Sequence, residues 1–331
     1  MAAARSGAAA QGMDLLGERS FVREARAVAV GKLRYREDNK REQSSYAILR
    51  RNTHRLEKGL IMRPRRSIFG LDFIEETVAA YRRLHDHLAR ECEPNDELRW
   101  AHDVLVEYFA VVDANHPIVA RALDTFRSLT PVAHPEAAAR WSKPFVRDAE
   151  DPSGISISAM KALARYRRSV RWYLPKPVPR SMIDEALEVA RQAPSACNRQ
   201  SFILRIFDDP KRIEEVIQIP LGTKGFGHNV PALAVIVGRL RAYPHARDRH
   251  AIYVDGALAA ISFVFGLETQ GLASCLINWA DQEPQESRMA EALGLEPDER
   301  IVVLVAFGYP DPEGMVPYSA KRELDVFRTY N

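Results

Sequence analysis

The 331 residues are 46% hydrophobic and 27% charged, the balance of a soluble globular chain long enough for one large domain or two ordinary ones. The 47 basic and 44 acidic residues leave a formal charge of +3, which gives no general reason to expect a nucleic acid or an anionic membrane as partner. Cys92, Cys197 and Cys275 lie far apart with no C-x-x-C pair, which argues against a disulfide framework or a zinc ribbon and fits the reducing cytoplasm.

The alanine-rich start, "MAAARSGAAAQGMD", lacks the charged lead and continuous apolar core of a secretory signal, and reads as a disordered tail over residues 1–12. Residues 13–127 read as helix after helix. Phe73, Val78, Tyr81 and Leu84 recur at helical spacing, as do Leu98, Trp100, Leu105, Phe109 and Val112. His54, Glu57 and Lys58 share one helix face, but a single His-x-x-Glu is half of a carboxylate-bridged metal site, and no metal is expected. Arg63, Arg65 and Arg66 form a basic cluster that reads as a solvated turn. Over 128–155 prolines break the apolar periodicity, which marks a linker.

From 156 to 331 the signals alternate. A helix over 182–193 is expected, capped by Ser181 and stopped by Pro194. "SFILRIF", "PALAVIVG", "LASCLI" and "RIVVLVAFG" read as strands, with helices at "DPKRIEEVIQ" and "EPQESRMAEALGL" between them. The 251–270 helix is apolar on nearly all sides and has to be covered all round, by its own domain or by a second subunit. Its longest apolar stretch, 256–267, is too short to cross a bilayer, so no membrane segment is expected. The alternation predicts an α/β or α+β layered domain. "PLGTKGFGHNVP" reads as a flexible, glycine-rich connection and not as a phosphate loop, since no Gly-Lys-Ser/Thr follows a strand.

Two stretches carry chemistry. "RYRRSVRWYLPKPVP" places Arg165, Arg167, Arg168 and Arg171 around Ser169. Guanidinium forks suit phosphate oxygens, although a basic turn closing the helix that begins near Ile157 would look the same. "APSACNRQ" follows a helix stop with Ser195, Asn198 and Gln200, neutral polar side chains that suit a ligand with polar ring edges or an ordinary polar loop. Cys197 and Cys275 have no histidine or lysine beside them in sequence and read as structural.

These segments, in this order and together with "YVDGALAAISFVFGLETQGLASCLI", "RIVVLVAFGYPD" and "SAKREL", resemble the nitroreductase-like flavoprotein family over residues 160–325. The resemblance implies an α+β layered domain, a central, mostly antiparallel sheet flanked by helices, with the all-helical region as an N-terminal extension. It implies FMN as cofactor and NAD(P)H as electron donor, with electrons passing to a small organic acceptor by a ping-pong mechanism. It also implies a homodimer with each flavin in a cleft between subunits. Specialised ligand chemistry such as reductive dehalogenation, or a flavin-binding regulatory protein with the helical half as its interaction module, are the alternatives. By likeness, Arg167, Arg168, Ser169 and Arg171 surround the flavin phosphate and pyrimidine edge, with Lys321 and Arg322 reaching the phosphate. Pro194 and Ser195 shape the turn that brings Asn198 and Gln200 to the ring edge and ribityl chain. The backbone at Cys275, Leu276 and Ile277 faces the ring. No side chain is expected to be catalytic, since the flavin carries the chemistry. Ser201-Phe202, where the family often has Pro-Trp, and Asn278-Trp279 depart from the pattern near the cleft. The 54–70 segment further resembles the helical extension of nitroreductase-like proteins linked to bacterial polysaccharide synthesis.

Overall fold

The structure, a computed structural model, describes residues 20–38, 46–91, 95–129, 142–147 and 153–331. The expected N-terminal tail and most of the expected linker lie outside the described residues.

The first half is helical: α1 (Ser20–Asp38), α2 (Tyr46–Leu60), α3 (Ile74–Glu91), α4 (Asp96–Val111) and α5 (Pro117–Arg127). The helical-period positions do what their spacing predicts. Phe73, Val78, Tyr81, Leu84, Leu98, Leu105 and Val112 are buried in one core with Leu49, Leu56 and Tyr108, and Trp100 and Phe109 pack at its margin. Local chemistry sets the helix starts. Asn95 Oδ1 accepts the N–H groups of Glu97 and Leu98, and Pro117 occupies the first turn of α5, where a missing donor costs nothing. Helix α1 reaches across both halves: Tyr35 joins this core, whereas Ala27 packs with Leu240, Ala242, Tyr243 and Ile252.

The second half runs α6 (Ile157–Tyr166), α7 (Arg180–Ala190), β1 (Phe202–Phe207), α8 (Pro210–Ile217), β2 (Ala232–Arg239), α9 (Ala251–Glu268), β3 (Ala273–Asn278), α10 (Gln285–Leu293), β4 (Glu299–Gly308) and α11 (Leu324–Phe327). All four strands foreseen from their apolar runs form one sheet in the order β1-β2-β4-β3, and every neighbouring pair is antiparallel. Helices α7 and α9 cover one face, where Ile183, Ala186, Phe263, Val264 and Leu267 meet Ala234, Ile236 and Val305. On the other face α8 and α10 bring Ile213, Val216, Met289 and Leu293 to Leu233, Val235 and Leu304. Gly266 allows α9 to lie against α7, since a Cβ there would stand 2.8 Å from Ala186 Cα.

Three sequence expectations change. Pro179, not Ser181, is the N-cap of α7, and Ser181 falls inside the first turn because the fixed φ of −59° at Pro179 already starts the helix. An 18-residue window within 246–268 reaches a mean hydropathy of 1.6, which by length and composition is enough to cross a membrane. In this fold α9 is a core helix that buries Asp255 and Glu268 along with its apolar residues. The glycine-rich 220–231 segment is anchored at intervals, with Leu221, Gly222, Lys224, Gly225 and His228 exposed between the anchors. Thr223 Oγ1 donates to the carbonyls of Ile217 (2.6 Å) and Pro220 (3.0 Å), and Phe226 and Val230 are buried.

The sheet has two working ends. At the first rim β1 and β4 begin and β2 ends. At the second rim β3 begins and β4 ends, since Ala273 pairs with Gly308.

Candidate functional site

The arginine segment leaves α6 at the second rim. Arg167 is the C-cap of α6, its N–H bonded to Leu163 O at 3.0 Å, and its extended ψ of 122° turns the chain toward the sheet. Ser169 then forms a parallel bridge to Ser274, and the Val170 N–H donates to Ser274 O at 3.0 Å. The cluster therefore lies along the outer edge of β3. Because the Ser274 carbonyl points outward to Val170, the pleat directs the N–H of Leu276 outward as well, and those of Cys275 and Ile277 inward to β4. Of the three predicted β3 positions, Leu276 has the outward backbone donor, while the Cys275 and Ile277 side chains are buried in the core.

Asn229 fixes the far end of the cluster. Its Oδ1 accepts the Tyr173 N–H at 2.8 Å and its Nδ2 donates to Arg171 O at 3.0 Å. The C-terminal segment joins through Arg168, whose Nη1 donates to Tyr318 O at 2.9 Å, bringing the chain that carries Lys321 and Arg322 alongside. Arg171 is exposed, with its guanidinium 5.7 Å from the Phe226 ring. Among the described residues no carboxylate lies within ion-pair distance of Arg167, Arg168, Arg171, Lys321 or Arg322. Glu268, at the end of α9, is the acid in Arg167's field. Burial pushes its carboxyl up to about 7, against the pull of Arg167, and Oε1 finds no hydrogen-bond partner. The buried Ser274 Oγ is unpartnered too. Burial likewise raises the Cys275 thiol, with Arg171 and Arg167 opposing it, which makes this thiol a poor nucleophile.

The second predicted segment occupies the first rim. Pro194 and Ser195 lead into a turn over 196–198; Cys197 and Asn198 within it, and Gln200 just after it, take φ values of 54°, 52° and 49°. Non-glycine residues in this left-handed region carry strain, and the surroundings over-determine the conformation. Ser195 Oγ accepts the Gln200 N–H at 3.0 Å, and Gln200 Nε2 donates to Asn198 Oδ1 at 3.1 Å. Asp255 of α9 accepts the Ala196 N–H on both oxygens at 3.1 Å and the Tyr243 hydroxyl at 2.8 Å. Ser201, where a proline was the familiar residue, is buried 3.1 Å from that hydroxyl. The amide side chains are thus presented on a built loop rather than a slack one.

The two segments do not meet within one chain. Helix α9 measures the gap: Asp255 holds the bend and Glu268 sits by the arginines, so thirteen residues at 1.5 Å each set them roughly 20 Å apart. They also border opposite edge strands, about 14 Å apart across three strand spacings. The second rim and the β3 edge running from it carry Arg167, Arg168, Ser169, Arg171, Cys275, Leu276 and Ile277, with the segment that bears Lys321 and Arg322 tied to Arg168 through Tyr318. The first rim holds Pro194, Ser195, Asn198 and Gln200.

Sequence reasoning missed the residues that position these groups, Asp255, Tyr243, Asn229 and Glu268. A signal existed for two of them: Asp255 and Glu268 are the only acids in a helix otherwise apolar all round, and an acid buried in such a helix is there to hold something. The basic cluster at Arg63, Arg65 and Arg66 lies exposed on the helical half, after α2. In α2, His54 Nδ1 is 3.4 Å from Glu57 Oε2, and Glu57 Oε1 accepts the Trp100 indole N–H at 3.0 Å.

Residues 164–222 and 210–309 match the profile of the nitroreductase family. The chain is 28% identical over 191 residues to an NADH dehydrogenase of Thermus thermophilus, covering 48% of this chain and 91% of that protein. It is 23% identical over 191 residues to iodotyrosine deiodinase 1 of Pongo abelii, covering 49% of this chain and 65% of the deiodinase. Among solved structures, an FMN-dependent nitroreductase from Clostridium difficile superposes with a TM-score of 0.45 at 22% identity, covering 52% of this chain and 99% of that one.

Proposed function

Because residues 164–222 and 210–309 match the profile of the nitroreductase family, we propose that this protein is an FMN-dependent oxidoreductase. In this reading it takes hydride from NAD(P)H and reduces a small nitro, quinone or enone-like acceptor by a ping-pong mechanism, as a homodimer.

The observation that carries this reading is the second rim, where Arg167, Arg168 and Arg171 have no ion-paired carboxylate among the described residues and lie beside a buried serine hydroxyl without a partner. A phosphate monoester supplies the missing charge, since guanidinium forks match its oxygens and each charge-assisted contact contributes roughly 1.5–3 kcal/mol. Arg167, Arg168 and Arg171, with Lys321 and Arg322, hold the phosphate end. The outward Leu276 N–H is the backbone donor offered to the ring along the β3 edge. The flavin, when bound, supplies the hydride-accepting and electron-donating chemistry. What this chain contributes is binding and orientation.

Asn198 and Gln200 reach the same ligand only from a second copy, since their own chain sets them roughly 20 Å from the arginines. Uncovered apolar surface supports that assembly. Val254, Leu258 and Ile261 line one stripe of α9 that the described residues leave partly uncovered, and Tyr318, Val326 and Phe327 are exposed in the C-terminal segment. Two copies related by a two-fold axis would cover both and bring each bend to the other's arginines.

A visible spectrum of the purified protein tests the reading. A yellow protein that releases FMN on heating is expected, and a chain that stays colourless after incubation with FMN refutes it. The likeness to a deiodinase favours reductive dehalogenation as a second reading. Turnover of halogenated phenols but of no quinone or nitroaromatic by flavin-loaded protein would select it.

A further inference from the structure

Helix α1 crosses the first rim and is held at both ends by charge. Near its start Arg23 reaches the loop after β3: Nη2 donates to Asp281 Oδ1 at 2.5 Å, Nη1 donates to Glu283 Oε1 at 3.1 Å, and Nε lies 3.9 Å from Glu286 Oε2. Arg300 closes the network from β4, 2.8 Å from Asp281 Oδ2 and 2.9 Å from Glu286 Oε2. Glu286 in turn accepts the indole N–H of Trp279. The Arg300–Glu286 pair is largely sequestered, with side chains 7% and 10% exposed, and is screened far less than a surface pair, whereas Asp281 and Glu283 are 37% and 44% exposed.

At the other end of α1, Arg34 pairs with Glu296 at 2.5 Å and Asp298 at 2.8 Å. Asp298 also binds the Arg241 guanidinium at 2.6 Å, one residue beyond the close approach of Gly31 to Leu240. That connection carries on to Tyr243 and Asp255, which anchor the 195–201 bend, and α2 packs directly on the 196–198 turn. The helical half thus touches both parts of this rim, the bend and the loop that carries Trp279.

We infer that Arg23 is a positioning residue for the cleft: through Asp281 and Glu286 it fixes residues 279–286, and with them Trp279, in the conformation offered to the electron acceptor. The helical half is then a structural part of the oxidoreductase site. What the loop faces rests on the flavin reading; that α1 holds the loop does not.

The test compares full-length wild type, Arg23→Ala and Arg23→Lys by hydrogen exchange, with FMN affinity and steady-state kinetics toward a simple quinone measured alongside. In Arg23→Ala, amides of 279–286 should exchange at least about tenfold faster while the sheet keeps its protection. FMN affinity should stay within about twofold, and the quinone KM should rise several-fold more than kcat falls. Arg23→Lys should recover most of both effects. Should Arg23→Ala fail to fold, Asp281→Asn undergoes the same comparison. Unchanged exchange in 279–286, or faster exchange with an unaltered KM, overturns the inference. Absence of FMN binding in the wild type would instead sink the flavin reading and leave the exchange result to judge the hold of α1 on the 279–286 loop.

Discussion

Arg168 tests the phosphate nest most sharply, because it has two connections that an alanine would cut. Its half-buried guanidinium faces the cluster, and its Nη1 donates 2.9 Å to Tyr318 O, tying down the segment that carries Lys321 and Arg322. Losing one charge-assisted contact to a phosphate costs about 1.5–3 kcal/mol, which is roughly 10- to 150-fold in affinity. Release of the C-terminal segment adds to that loss, so Arg168→Ala should lie toward the weaker end. Arg168→Lys keeps the charge without the fork and should fall between alanine and wild type. Titration of apoprotein with FMN, followed by quenching of flavin fluorescence, measures all three, and Arg65→Ala serves as the control because Arg65 is exposed on the helical half. Equal losses at Arg168 and Arg65, or none at Arg168, would refute the placement of the phosphate.

Asp255→Ala should weaken both the fold and the bend. It leaves the Ala196 N–H and the Tyr243 hydroxyl without their buried acceptor, a loss of about 2–4 kcal/mol in urea unfolding, with partial recovery in Asp255→Asn. Glu268 ionises near 7 beside Arg167, so its charge offsets the nest progressively as pH rises through that value. The second ionisation of the phosphate, at about 6, raises FMN affinity between pH 6 and 8, and the rise should be smaller in wild type than in Glu268→Gln; parallel profiles would count against it. Glu97, buried beside Arg50 in the helical half, has its carboxyl pushed by burial from 4.5 up to about 7. The folded chain then binds more protons than the unfolded chain between those values, so stability falls as pH rises through the window, by up to about 3 kcal/mol in full above it. Urea midpoints from pH 5 to 8 should show that slope in wild type and a flatter one in Glu97→Gln.

How much of this was legible in the sequence depended on whether the information was local. The strands were, because runs such as "LAVIVG" and "IVVLVAFG" are short, rich in β-branched residues and apolar at every position, as strands covered on both faces are. The helical half was, because its buried positions recur at 3.6 residues. The arginine nest and the amide-bearing bend were legible as residue types in order. Their separation was not, since it follows from the strand order β1-β2-β4-β3, in which the last strand inserts between its predecessors. Nor was the work of α1, whose Arg23 and Arg34 meet partners more than 250 positions away that no periodicity reveals. The glycines of 220–231 suggested slack, but Thr223 and Phe226 pin that loop through contacts that composition does not record.

The central claim is that the arginines of one copy and the bend of another share a single FMN. A mixed dimer tests it, purified through two different tags, with Arg168→Ala in one chain and Asn198→Ala with Gln200→Ala in the other. A site built across two copies places both lesions in one cleft and leaves the other intact, so one site of wild-type affinity per mixed dimer is expected. Two weakened sites and none of wild-type affinity would contradict it.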